Sequence, residues 1–163
     1  MFNPKVVNNL VLRGPQPLTI DDMELLKIKG VKTIISLESG LWDLFNNQIN
    51  SEFYLAEQVD INVVHIKLHP ILPPTLEQTK AILELICRES ESGLVYVHCH
   101  HGVDRTGWVI AAYQYLILGH SLEEVKQGML DNGFHNWCYW WWFPRFEKVL
   151  RTLENANSSK VQN

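Results

Sequence analysis

Three short β-branched runs set the limits on what this chain can fold into. V-K-T-I-I-S-L at 31–37, V-V-H-I-K-L at 63–68 and L-V-Y-V at 94–97 are mostly apolar rather than strictly alternating. That is how strands read when a parallel sheet buries both of its faces. Helical periodicity fills the intervals. Thr75-Leu76-Glu77-Gln78 is a capping box opening a helix to about Ser90, with Leu76, Thr79, Ile82, Leu83 and Ile86 on one face. Thr19 with Asp22 starts an earlier helix that Gly30 stops, and Ser121-Leu122-Glu123-Glu124 starts a later one. Residues 41–59 are ambiguous, with a helix expected from about Gln48. At the start, Val6-Val7 and Leu10-Val11-Leu12 flank an Asn8-Asn9 turn as a hairpin, ended by the turn formers Arg13-Gly14-Pro15-Gln16-Pro17. Strands joined by helices predict an α/β fold: a single domain whose central, largely parallel sheet of about four to five strands carries helices on both faces.

Size and charge narrow the function. With 163 residues, 46% of them hydrophobic, the chain is expected to form one domain over 1–154, with a polar, disordered tail at 155–163. A net charge of -4 argues against a broad nucleic-acid footprint while leaving room for one local basic pocket. No apolar run is long enough to cross a bilayer, and residues 1–5 lack the basic head and apolar segment of a secretory signal. Cys87, Cys99 and Cys138 suit neither a disulfide framework nor a zinc site, so a reducing, cytoplasmic setting is expected.

The chemistry concentrates at V-Y-V-H-C-H-H-G-V-D-R-T-G, residues 95–107, where a strand pattern gives way to a helical one. Ligands of open α/β sheets bind beyond the carboxyl ends of the strands, where Cys99 lies. If residues 99–105 curl into a loop, the N–H groups of His100, His101, Gly102 and Val103 and the first turn of the next helix form a nest that attracts an anion. The same dipoles favour a thiolate at the base of the loop. Arg105 supplies a planar fork for two phosphoryl oxygens, Gly102 permits the tight turn, and Thr106 places a hydroxyl beside the sulfur. His98, His100 and His101 beside Cys99 have poor spacing for a metal site, so none is expected; His100 and His101 are placed at the pocket rim. Arg13, Lys67 and Arg145 are further sources of positive charge.

His98-Cys99, Gly102, Arg105, Thr106 and Gly107 match H-C-x-x-G-x-x-R-T-G, and the chain resembles the cysteine-dependent protein tyrosine phosphatases, in particular compact bacterial-type dual-specificity-like members. The likeness extends over roughly residues 5 to 150, through the 13–17 turn, the 31–37 strand, 119–125 and 133–135. It implies Cys99 as nucleophile, Arg105 as phosphate ligand and Thr106 as the aid to breakdown of the phosphocysteine, with no cofactor. Family members usually carry an aspartate acid on the loop corresponding here to 69–74, H-P-I-L-P-P, which has no Asp or Glu. Asp104 is one replacement, since G-V-D-R-T is similar to the arrangement in myotubularin-type and Sac-type phosphoinositide phosphatases, and a bracing role is the alternative. His69 is a second candidate and Asp43 a third. The implied activity is hydrolysis of phosphotyrosine and phosphoserine or phosphothreonine proteins. Inositol phosphates or phosphoinositides are the alternative substrates, and a weakly catalytic phosphate-binding module is a further reading. The aromatic run at 137–143 cannot all be buried by one helix face: at least two members are expected to be exposed, as core flank or as a weak membrane or protein contact.

Overall fold

A computed structural model of the protein describes residues 2–39 and 48–161. Its sheet consists of β1 (Lys5–Val6), β2 (Val11–Gly14), β3 (Val31–Ser36), β4 (Asn62–His65) and β5 (Leu94–His98), in the order β1-β2-β5-β3-β4. Only the β1–β2 pair is antiparallel. Its hairpin turn is set by Asn8, whose Oδ1 accepts from the N–H groups of Leu10 (3.0 Å) and Val11 (2.8 Å). The described helices are α1 (Ile20–Ile28), α2 (Gln48–Gln58), α3 (Leu76–Ser90), α4 (Asp104–Leu116), α5 (Leu122–Asp131), the single turn α6 (Asn136–Tyr139) and α7 (Trp142–Val161). The three capping signals read from the sequence, at Thr19, Thr75 and Ser121, all form reciprocal capping boxes.

Alternation within the strands explains the continuous apolar runs. Leu12, Ile34 and Tyr96 point to one face, where Met23 and Leu26 of α1 and Ala56 of α2 cover them. Val11, Ile35, Val95 and Val97 point to the other, against α3, α4, α5 and α7. Trp108 of α4 is fully buried there, edge-on to Trp142 and Phe146, and its indole N–H donates to Thr79 Oγ1 at 3.0 Å. Both faces are therefore greasy by necessity. Two extents differ from expectation. The second core strand ends at His65 rather than Leu68. Residues 155–161, expected as a polar tail, continue α7: no Gly or Pro follows Pro144, and side-chain bonds such as Ser158 Oγ to Glu154 O (3.1 Å) lie along the helix.

The registers carry this fold to its site. Gly14 of β2 and Ser36 of β3 both pair with His98, the last residue of β5. The segments leaving β2 and β3, Pro15-Gln16 and Leu37-Glu38, therefore flank the loop that leaves β5.

Candidate active site

Residues 99–103 form that loop, between the end of β5 and the start of α4. Its carbonyls are tied outward: Gln16 N–H donates to His100 O (3.2 Å), and Arg13 Nη2 donates to Gly102 O (2.9 Å). In a trans peptide unit N–H and C=O point in opposite directions, so the N–H groups of His101 and Val103 face the interior of the loop. α4 begins with Val103 at its N-cap and no side-chain cap, which leaves first-turn N–H groups available to the same interior. Gly102 adopts φ +69°, and a β-carbon there would fall inside the van der Waals envelope of the Gly14 carbonyl. Only glycine fits. Burial pulls the Arg13 guanidinium down to about 10, against the opposing influence of Cys99 and Tyr96, so it remains cationic at neutral pH while bracing the loop from outside.

Cys99 sits at the base, 3% exposed. Arg105, on the first turn of α4, is held from behind: Nη1 donates to Leu37 O (3.0 Å) and Nη2 lies 3.6 Å from Glu38 Oε1. Glu38 is fixed in turn beside β4, where His65 Nε2 donates to its carbonyl at 2.7 Å. Thr106 Oγ1 is fully buried and has no hydrogen-bond partner among the described residues.

Beneath the loop lies a buried pair, of which sequence reasoning missed one member, Glu52. His98 Nε2 donates to Glu52 Oε1 (2.6 Å) and its Nδ1 meets Cys99 O (3.3 Å). Both partners only accept, so the ring is the doubly protonated imidazolium. The other carboxylate oxygen of Glu52 accepts from Gln16 Nε2 (3.1 Å) and Ser36 Oγ (3.3 Å). Burial opposes both charges, but the attraction between the two groups and their hydrogen bonds outweigh it. Glu52 is held below the usual carboxylate range and His98 above the usual imidazole range. The Glu52 contribution to stability is lost as pH falls through its depressed value, and the His98 contribution as pH rises through its raised one; both are fully present between about pH 4.5 and 6.5. Glu52→Gln is expected to lower unfolding free energy by about 3 kcal/mol in that window, because it strands one member of a buried pair. Denaturant midpoints measured across pH should show the gap between variant and wild type narrowing on either side.

The other expected site residues fall into two groups. His100 and His101 lie on the loop with rings edge-on, centroids 4.6 Å apart, and His101 is exposed at the mouth. Burial, then the charges of His100 and His135, hold His101 below the usual histidine value, so it is a neutral ring there at neutral pH. Asp104 is on the first turn of α4, and both of its oxygens are engaged by His135: backbone N–H to Oδ1 (2.9 Å) and ring Nδ1 to Oδ2 (2.8 Å). His69 turns Nδ1 back on its own loop, accepting from the N–H groups of Ile71 (3.1 Å) and Leu72 (2.9 Å). Asp43 lies outside the described residues. Arg145 lies by Trp141 and Lys148 near the start of α3, away from the loop. Among the described residues, no three His, Cys, Asp or Glu side chains converge as metal ligands. Cys87 lines a 430 Å³ largely apolar cavity between α3, α4 and α7. Within the aromatic run, Trp142 is fully buried while Trp137 and Trp140 are 81% and 69% exposed. No helix among the described residues is long and apolar enough to cross a membrane.

Comparison with known proteins bears on this arrangement. Residues 3–136 match the family described as DSP-PTPase phosphatase fused to NAD+ kinase. A comparison with curated proteins gives no match. Among solved structures, TpbA of P. aeruginosa is similar with a TM-score of 0.71 at 18% identity, over 93% of this chain and 84% of that one. Kinase associated phosphatase (KAP), with its catalytic-site cysteine replaced by serine, gives 0.71 at 17% identity over 93% and 96%. PTPMT1 in complex with PI(5)P gives 0.71 at 16% identity over 97% and 98%. At these identities the structural likeness speaks for the fold, and the family match over most of the chain speaks for the lineage. The chain thus belongs to the DSP-PTPase family and is a cysteine-dependent phosphatase of the dual-specificity-like superfamily.

Proposed function

We propose that the protein hydrolyses phosphate monoesters without a metal, through a phosphocysteine on Cys99, and that its substrates are proteins bearing phosphotyrosine and phosphoserine or phosphothreonine. One observation carries this reading: the thiol lies at the start of a loop whose carbonyls are tied outward by Gln16 and Arg13, and Arg105 stands on the first turn of the helix that the loop enters. Inward N–H groups and Arg105 bind the phosphoryl oxygens and match the charge that develops during transfer. Sulfur attacks phosphorus as the ester oxygen departs. When water later displaces the sulfur, Thr106 Oγ1 is positioned one helical residue beyond Arg105, with no competing partner, to stabilise the departing thiolate.

The rim favours a second substrate class. His100, His101 and His135 gather beside Arg105 and add hydrogen-bonding rings around a phosphate, which suits inositol phosphates or phosphoinositides. Related folds have been crystallised with each kind of ligand, a TpbA variant with pTyr and PTPMT1 with PI(5)P.

Phosphate release should be measured in the presence of a strong chelator, over phosphotyrosine, phosphoserine and phosphothreonine peptides, inositol phosphates, phosphoinositide vesicles and NADP+. The last arm follows from the family description, which pairs the domain with NAD+ kinase. Full activity with chelator is expected, highest on phosphotyrosine peptides. Highest activity on inositides would favour the second class. Binding without release from any substrate would make the protein a phosphate-ligand module, and loss of activity on chelation would overturn the metal-free mechanism.

A further inference from the structure

Departure of the ester oxygen needs a proton, and the 69–74 loop has no carboxyl group to give one. Its histidine has committed Nδ1 to two backbone N–H groups. We propose that His135 is the general acid of this site, with Asp104 as its positioning residue; the proposal rests on the phosphocysteine reading and completes it.

Asp104 directly precedes Arg105, so it is anchored beside the phosphate-binding fork. Its two bonds to His135 do different work. The backbone bond at 2.9 Å fixes where the residue sits, and the ring bond at 2.8 Å fixes the tautomer. A carboxylate only accepts, so Nδ1 carries a proton, and Nε2 at the far end of the ring is left to exchange one. This is the arrangement by which a carboxylate orients a catalytic imidazole. Exposure assigns the roles in the same sense. The His135 side chain is 43% exposed and that of Asp104 is 16% exposed, so the ring is the member that a substrate can reach.

The segment bearing His135 also packs on the phosphate loop. A β-carbon at Gly133 would lie 3.9 Å from Val103 Cγ1, within ordinary contact. Asp104 from α4 bonds the ring, and His101, His135, His100 and Arg105 are close enough for their charges to act on one another; Trp137 packs edge-on to the ring at 6.5 Å between centroids. In the first step the Cys99 thiolate forms the S–P bond, the P–O bond to the leaving group breaks, and the departing oxygen takes the Nε2 proton. The imidazole, neutral after that step, keeps its Nδ1–H on Asp104. In the second step Nε2 takes a proton from water as the water oxygen forms its bond to phosphorus, the S–P bond breaks, and sulfur leaves as thiolate. Inorganic phosphate and the alcohol are the products, and the cationic ring is restored.

The test compares wild type, His135→Asn and Asp104→Asn on p-nitrophenyl phosphate and phenyl phosphate, the first leaving readily without a proton and the second poorly. Asparagine at 135 places an amide N–H where Nδ1 was, keeping the bond to Asp104 while removing Nε2. His135→Asn is expected to lose about 100-fold in kcat on phenyl phosphate and under about tenfold on p-nitrophenyl phosphate. Asp104→Asn should show a smaller loss with the same dependence on leaving group. Equal losses of His135→Asn on the two esters, or none, would overturn the assignment. Turnover of p-nitrophenyl phosphate reports folding and the thiol chemistry independently; its absence in wild type would overturn the phosphocysteine reading itself, and the acid with it.

Discussion

Cys99→Ser is expected to reduce phosphate release by at least about 10⁴-fold on every ester while leaving affinity for inorganic phosphate within about threefold of wild type. The two halves of this expectation have separate causes. Turnover needs a nucleophile that is anionic near neutral pH, and a serine hydroxyl is not. Binding needs the loop, and nothing that shapes the loop passes through Sγ: its carbonyls are held by Gln16 and Arg13, and the Arg105 fork is held by Leu37 and Glu38. Swapping one small buried side chain for another should change stability by no more than about 1 kcal/mol, so a melting curve separates loss of chemistry from loss of fold. Calorimetric titration with phosphate and a rapid-quench assay with labelled ester check both halves. In wild type the label should accumulate on the protein as a phosphocysteine before free phosphate appears; in the variant it should not. Unchanged turnover in Cys99→Ser would place the nucleophile elsewhere.

What could be read before the structure was whatever is local in sequence. The sheet was legible because burial on both faces leaves apolar runs at 31–37 and 94–97, and helix starts were legible because a capping box needs only four consecutive residues. The loop between β5 and α4 was legible for the same reason, its parts lying between His98 and Gly107. The support of the loop was not. Arg13 reaches Gly102 across 89 residues, Glu52 reaches His98 across 46, and His135 reaches Asp104 across 31. No periodicity marks such partners, because tertiary packing brings them together: the β2–β5 register for Arg13, the seating of α2 for Glu52 and that of the segment before α6 for His135. A signal existed for Arg13, at the end of an expected strand before a Gly-Pro turn, but charge there reads equally well as a solvated residue. Nothing marks Glu52, which sits in a polar helix within the ambiguous stretch at 41–59. The aromatic run was half legible: its count required exposed members, but only packing against Trp108 and Phe134 selects Trp142 as the buried one.

Arg105→Lys should lower kcat by about 10³-fold with a much smaller rise in KM. The reason is the shape of the cation rather than its charge. The guanidinium spends Nη1 on the Leu37 carbonyl at 3.0 Å and sets Nη2 beside Glu38, which fixes its plane from the protein side. The remaining N–H groups are thereby aimed as a rigid fork, able to hold two phosphoryl oxygens as they spread towards the equatorial plane of the transition state. A lysine ammonium keeps the charge but is a single mobile point. Pairing it with Glu38 would draw it away from phosphorus; turning it to the phosphate would leave Glu38 buried at 4% exposure without its cation. Ground-state binding loses less, because the inward N–H groups of His101 and Val103 and the start of α4 persist without Arg105. Steady-state kinetics on phosphotyrosine peptide, with vanadate inhibition as a measure of transition-state affinity, separates the two contributions. Vanadate affinity should fall in parallel with kcat while inorganic phosphate binding falls far less. Near-wild-type kcat and vanadate affinity in Arg105→Lys would mean that Arg105 acts through charge alone, and that the backing by Leu37 and Glu38 has no part in aiming it.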